Sequence, residues 1–134
     1  MRLQKNTLLA LYSVLEFAAQ PGRQLSVADI AASLKASPHH LAKVLRTLGR
    51  AGLVDSVRGA RGGYRFAANA RRTTLMDVIG LFEDAGAARP RRARRGAEAA
   101  LAEVLAEIDS TARATFSSVT LDTLLKLIAR REGR

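Results

Sequence analysis

Between residues 37 and 66 the chain reads SPHHLAKVLRTLGRAGLVDSVRGARGGYRF, and its polar residues are the ones whose types and spacing have chemistry to offer. His39, Lys43, Arg46, Thr47 and Arg50 fall on one side of a helical repeat, and Arg58, Arg61 and Arg65 follow around a glycine-rich turn. Lysine and arginine so placed donate hydrogen bonds to guanine acceptors or to phosphates, and an arginine entering an A·T-rich minor groove is drawn by its negative potential. That chemistry is recognition of a polyanion. Catalysis is the function class the sequence argues against. It has no carboxylate pair in a pocket-like context, no nucleophile with a base and no metal-ligand set, and the glycines at 59, 62 and 63 lack the following helix that a phosphate loop requires.

The elements that must position these residues can be read from the same stretch. Ser37 can cap the first free amides of a helix, and Pro38 suits its first position, where a missing N–H costs nothing. Leu41, Val44, Leu45 and Leu48 then form one buried stripe, and Gly52 ends the helix as a left-handed cap. Upstream, Ser26 followed by Asp29 gives a capping-box start, with Val27, Ile30, Ala31 and Leu34 as the buried face of another helix. Only Ala36 and Ser37 separate the two. A turn that short makes the helices cross sharply, the helix-turn-helix geometry. Leu53 to Val57 reads as a strand, Gly59 to Gly63 as a turn and Tyr64 to Phe66 as the returning strand, with glycines at 59, 62 and 63 allowing a tight turn and close backbone approach. The fold class is mainly α with a small β-hairpin wing: a winged helix-turn-helix.

Charge placement agrees. The 134 residues carry a net charge of +10, of which +8 falls on residues 1–80 and +2 on the rest. Nine basic residues and one acid, Asp55, lie between Lys35 and Arg72. Such a field attracts polyanions and makes their binding steeply salt-dependent. With no cysteine there is no disulfide and no thiolate metal site, and His39 and His40, adjacent on a helix, cannot clamp a metal alone. No apolar run approaches eighteen residues, and the charged N-terminal stretch reads as neither signal peptide nor membrane span, so a cytoplasmic protein is expected.

Elsewhere, Thr7 to Ala19 reads as a first helix with Leu8, Leu11, Tyr12, Leu15, Phe17 and Ala18 in apolar contact. Thr74 to Phe82 reads as another, capped by Thr74 and Asp77 and striped by Leu75, Val78, Ile79 and Phe82. Glu83 to Gly96 has no large apolar residue and packs five arginines into residues 89–95, which predicts a loop. From Ala97 to Ser118 a helix of roughly 33 Å is expected. Its stripe of Leu101, Val104, Leu105, Ile108, Ala112, Phe116 and Val119 is poorly buried by one chain of this size and predicts pairing with a symmetry mate. Thr120 can cap a last helix, Leu121 to Ala129. The expected division is 1–82 for DNA binding, 83–96 for the arginine-rich loop and 97–134 for the dimerisation and closing helices.

Taken together, these residues resemble the Rrf-two family of bacterial transcription regulators over nearly the whole chain. The specific part is the Gly62-Gly63-Tyr64 wing followed at a set distance by Thr74-Leu75-x-Asp77-Val78. The resemblance implies a homodimer on a partly palindromic operator of double-stranded DNA, more in the manner of a repressor than an activator. It places Ser37, His39, His40 and Lys43 where the recognition helix contacts DNA and Arg58, Arg61 and the Gly62-Gly63 backbone at the wing, and Pro38 and Arg46 on the same helix join them as DNA-binding candidates; His40 could equally fill an aromatic position at the helix edge. The family's best-known members bind an iron–sulfur cluster through three cysteines ahead of the dimerisation helix. This sequence has none, so cluster ligation by cysteine is excluded, and a cluster held by Asp, Glu or His alone would lack soft ligands. No cofactor is therefore expected. The effector is not specified by the sequence; a small ligand near Leu81, Phe82 and Phe116 and no ligand at all both stand. A protein-interaction module on the same fold, with weak or vestigial DNA binding, is the alternative function.

Overall fold

The computed structural model describes residues 2–59, 62–83 and 95–133. Arg61 and most of the arginine-rich segment, residues 84–94, lie outside the described residues. The elements run α1 (Lys5–Ala19), α2 (Val27–Leu34), α3 (Pro38–Arg50), β1 (Val54–Val57), β2 (Gly63–Phe66), α4 (Leu75–Ile79), α5 (Gly96–Ser118) and α6 (Leu121–Glu132). The fold is mainly helical with one antiparallel hairpin and a long helix near the C-terminus, as the sequence predicts.

Local signals account for most helix starts. Ser26 and Asp29 form a reciprocal capping box at α2, and Thr74 and Asp77 form another at α4. Ser37 accepts from the His40 amide at α3, and Thr120 from the Thr123 amide at α6. Between α2 and α3 the reversal is made by Lys35, a non-glycine residue at φ 53°. The Ala36 amide then reaches back to Ala31 O at 2.9 Å, so Ala36 and Ser37 suffice to redirect the chain.

The first helix differs from its sequence reading. It begins at Lys5, and its buried arc takes in Thr7, Leu9, Ala10, Leu11, Ser13, Val14, Leu15, Phe17 and Ala18, while Leu8 and Tyr12 are exposed. The reason is its central position: α2, α3, α4, α6 and β2 all pack against it. A helix surrounded on so many sides buries a wide arc and even hydroxyl side chains, provided these find partners. Ser13 Oγ donates to Leu9 O at 2.7 Å, and Thr7 Oγ1 donates to the Glu83 carboxylate.

Shorter differences have local causes. Helix α4 stops at Ile79 rather than Phe82, because Leu81 and Phe82 amides bond three residues back, to Val78 and Ile79, and wind the chain into a tight turn. Leu53 precedes β1 rather than joining it, its amide closing the end of α3 on Leu48 O at 3.0 Å. Gly63 starts β2 one residue before the expected Tyr64 and pairs with Val57. Helix α6 continues past Ala129 to Glu132.

Two backbone bridges tie distant parts together. Leu25 and Tyr64 exchange amide and carbonyl bonds at 2.9 Å, adding a single-residue third strand to the hairpin. Thr74 and Thr120, the caps of α4 and α6, lie opposite each other: the Leu75 amide donates to Val119 O and the Leu121 amide to Thr73 O, both at 2.9 Å. Leu121 is fully buried in the same core as Phe17, Ile30, Leu41, Leu45 and Leu48, so α6 shares the core of the N-terminal helices.

Gly63 is the residue the first bridge cannot do without. It sits at φ 154°, and a Cβ there would lie 2.6 Å from Leu25 O. Gly63→Ala is expected to cost about 2–3 kcal/mol by combined strain and overpacking, measured as a lower midpoint in urea unfolding with an unchanged slope.

Candidate nucleic-acid interface

The recognition candidate, α3, is sharply two-sided. Leu41, Val44, Leu45 and Leu48 are buried to 2% exposure or less, which locks the rotation of the helix. His39, Lys43, Arg46 and Arg50 are left exposed on the far side, with Thr47 half-buried and its hydroxyl bonded to Lys43 O at 3.3 Å. Pro38 and Ser37 are both exposed at the start of the helix. A cationic row held outward by its own buried stripe can meet base edges and phosphates without a rearrangement of the fold.

His40 behaves differently from its neighbours. It is half-buried, and its Nε2 lies 2.5 Å from Asn6 Oδ1 in the first turn of α1. The ring therefore fastens the start of α3 to α1. Asn6 carried no signal in the sequence, since a single polar residue on a helix gives no hint of a partner 34 positions away.

In the hairpin, β1 and β2 pair Val54 with Phe66, Asp55 with Arg65, Ser56 with Tyr64 and Val57 with Gly63. Arg65 stands directly across from Asp55, so the one acid of the basic stretch offsets it, and opposite charges at facing positions favour the pairing. Arg58 follows β1 and is exposed. Gly62 takes φ 22° with its amide on Gly59 O at 3.0 Å, which makes the turn. The close approach that Gly63 permits is to Leu25 and Ser26 of the chain itself. Beyond the hairpin, Arg71 and Arg72 are exposed in a turn where Asn69 Oδ1 accepts from the Arg71 amide at 3.0 Å.

The long helix α5 buries none of its residues, and Leu101, Val104, Leu105 and Ile108 are 51–59% exposed at spacings of three and four. Ala112 and Phe116, further along the same stripe, are half-buried, and Phe116 packs against the core. Charged neighbours on α5 pair locally, Arg113 Nε with Asp109 at 2.9 Å. No helix among the described residues is long and apolar enough to cross a membrane.

Comparison with known proteins supplies the family. The Rrf2 profile, described as an iron-dependent transcriptional regulator, matches residues 3–127. BadM of Rhodopseudomonas palustris, named as an HTH-type transcriptional regulator, is 53% identical over 130 residues, spanning 96% of this chain and 83% of its own. The HTH-type transcriptional regulator NsrR of Shouchella clausii is 34% identical over 85 residues, 63% of this chain and 57% of its own. Among solved structures, CymR, the global cysteine regulator of B. subtilis, superposes with a TM-score of 0.78 at 28% identity, covering 95% of this chain and 98% of CymR. IscR of T. potens gives 0.70 at 25% identity, covering 94% and 87%.

The iron in the family's description finds no matching donor set here. The sequence has no cysteine and two histidines, and His40 is bonded to Asn6. Among the described residues no three His, Asp or Glu side chains gather as a metal would need. Soft thiolate ligation, the usual means of holding an iron–sulfur cluster, cannot be built from these residues. With its profile match over nearly the full length and its helix-turn-helix presented on a rigid core, the chain belongs to the Rrf2 family of DNA-binding transcription regulators, as a member without cysteine.

Proposed function

We propose that this protein is a homodimeric, sequence-specific repressor that reads a partly palindromic DNA site and works without a cysteine-ligated cluster. The observation that carries the dimer is α5. A 23-residue helix with no buried residue and four large aliphatic side chains in one exposed stripe gains little from its own subunit. A two-fold mate would cover Leu101, Val104, Leu105, Ile108 and Ala112, with Phe116 at the inner end of the seam. Each fully covered Leu, Val or Ile is worth about 1.5–3 kcal/mol relative to exposure.

Two-fold symmetry in the protein requires matching symmetry in the DNA, which is why the site should be palindromic. In each half-site α3 enters the major groove, with Ser37, Pro38, His39 and Lys43 near its leading end and Arg46 one turn on. His40 contributes by holding that end in place. Arg58, Arg61 and the Gly62-Gly63 backbone form the wing over the flanking minor groove. Residues 1–82 read the DNA, 83–96 connect, and 97–134 join the subunits and close the core. The setting is the cytoplasm, where a dimer seated on promoter DNA blocks access to it.

DNA from upstream of the protein's own coding region should give a discrete gel-shift complex, favoured at least about a thousandfold over random DNA. Equal affinity for both would overturn the reading. Arg46→Ala should cost about 1–3 kcal/mol and relax preference at one base pair per half-site, whereas Arg72→Ala should weaken all sequences alike. Replacing Leu105 and Ile108 together by Glu should convert a dimer to a folded monomer by light scattering and circular dichroism. It should also reduce operator affinity by at least about a hundredfold, since each half-site must then be bound alone. An unchanged mass would remove α5 as the dimer seam.

A further inference from the structure

We propose that the start of α1, through Arg2 and Lys5, is a further DNA-contacting element that grips the phosphate row beside the recognition helix. The proposal rests on the DNA-binding reading above and adds a contact region to it. Its basis is the join between two helices far apart in sequence: Asn6 Oδ1 meets His40 Nε2 at 2.5 Å. His40 is the third residue of α3, so the first turn of α1 is held alongside the leading turn of the helix that enters the groove.

The dimensions of the duplex decide what a segment in that position faces. A helix with side chains is about 10–12 Å across and fills a major groove about 12 Å wide. Whatever stands beside the leading turn therefore overlies the sugar–phosphate wall. Lys5 immediately precedes Asn6 at this corner, Arg2 lies three residues ahead of Lys5 in the segment leading into α1, and both are exposed. Neither forms an ion pair among the described residues.

The corner is also held in place. One carboxylate oxygen of Glu83 accepts from the Gln4 amide at 3.2 Å and from the hydroxyl of Thr7, which is fully buried. Glu83 thus anchors the start of α1 through Gln4 and a residue turned to the core, and Asn6 anchors it to α3. Two cations outweigh the single carboxylate there. Cations carried on a pre-ordered element lose less conformational freedom on binding than cations on a loose arm. Because phosphates are the same in every sequence, this contact adds affinity without base preference.

The test is titration of the upstream DNA and of random DNA at several salt concentrations with the full chain and with Lys5→Gln, Arg2→Gln and Lys5→Arg. Each Gln variant should weaken both DNAs by the same factor, about 3- to 10-fold, and lower the steepness of log K against log salt by about one. Thermal unfolding should be unchanged in both, since the two residues are exposed and unpaired. Lys5→Arg should keep the parent slope and affinity. Parent salt slopes in both Gln variants would overturn this proposal while leaving the operator reading intact. A parent chain that forms no discrete complex would overturn the operator reading and this proposal with it.

Discussion

Burial of one apolar stripe on α3 governs the rest of the structure. Leu41, Val44, Leu45 and Leu48 are packed into the same core as Val14, Phe17 and Ile30, and together they leave α3 no freedom to roll. Since a helix places residues at fixed angles, locking four side chains inward dictates that His39, Lys43, Arg46 and Arg50 face outward. The cationic row has no internal use. Its exposure follows from the core, and the core would be lost if the row were turned in, because unpaired buried charges are costly.

Around that core, the chain uses backbone joins where side-chain packing alone would leave hinges. The Leu25–Tyr64 bridge fixes the wing to the segment just ahead of α2, so the hairpin and the helix-turn-helix keep one relative orientation. At the opposite end, the paired caps Thr74 and Thr120 bring α6 back to α4 after the long excursion of α5. The helix that offers the exposed Leu101–Ile108 stripe is therefore anchored near its C-terminal end through Val119, while its apolar surface stays available. In the proposed dimer, rigid joins of this kind would let the subunit geometry set at α5 determine the spacing of two recognition helices.

The family match and the absence of cysteine have to be held together. The family described as iron-dependent matches residues 3–127, and the chain has the hairpin and the long helix, but no thiolate ligand is available in the sequence. Among the described residues, the α4 end is linked toward the recognition helix by Glu83 with Gln4 and Thr7, and by Asn6 with His40.

Sequence alone determined what depends on neighbours a few residues apart. The capping boxes at Ser26 and Thr74, Pro38 and Gly52 at the two ends of α3, the inward stripe of that helix and the unburied stripe of α5 are all local patterns with a single physical solution. Tertiary structure decided everything that needed a partner from elsewhere. The apolar residues of α1 did not reveal which arc would be buried, because five elements surround that helix and Leu8 and Tyr12 fall in the gap they leave. Gly63 looked like a turn residue, yet what demands it is the carbonyl of Leu25, 38 positions earlier. His40 could have faced either the groove or the helix edge, and Asn6 engages its ring. Periodicity specifies which side of an element is apolar, but only the folded chain specifies what stands opposite it.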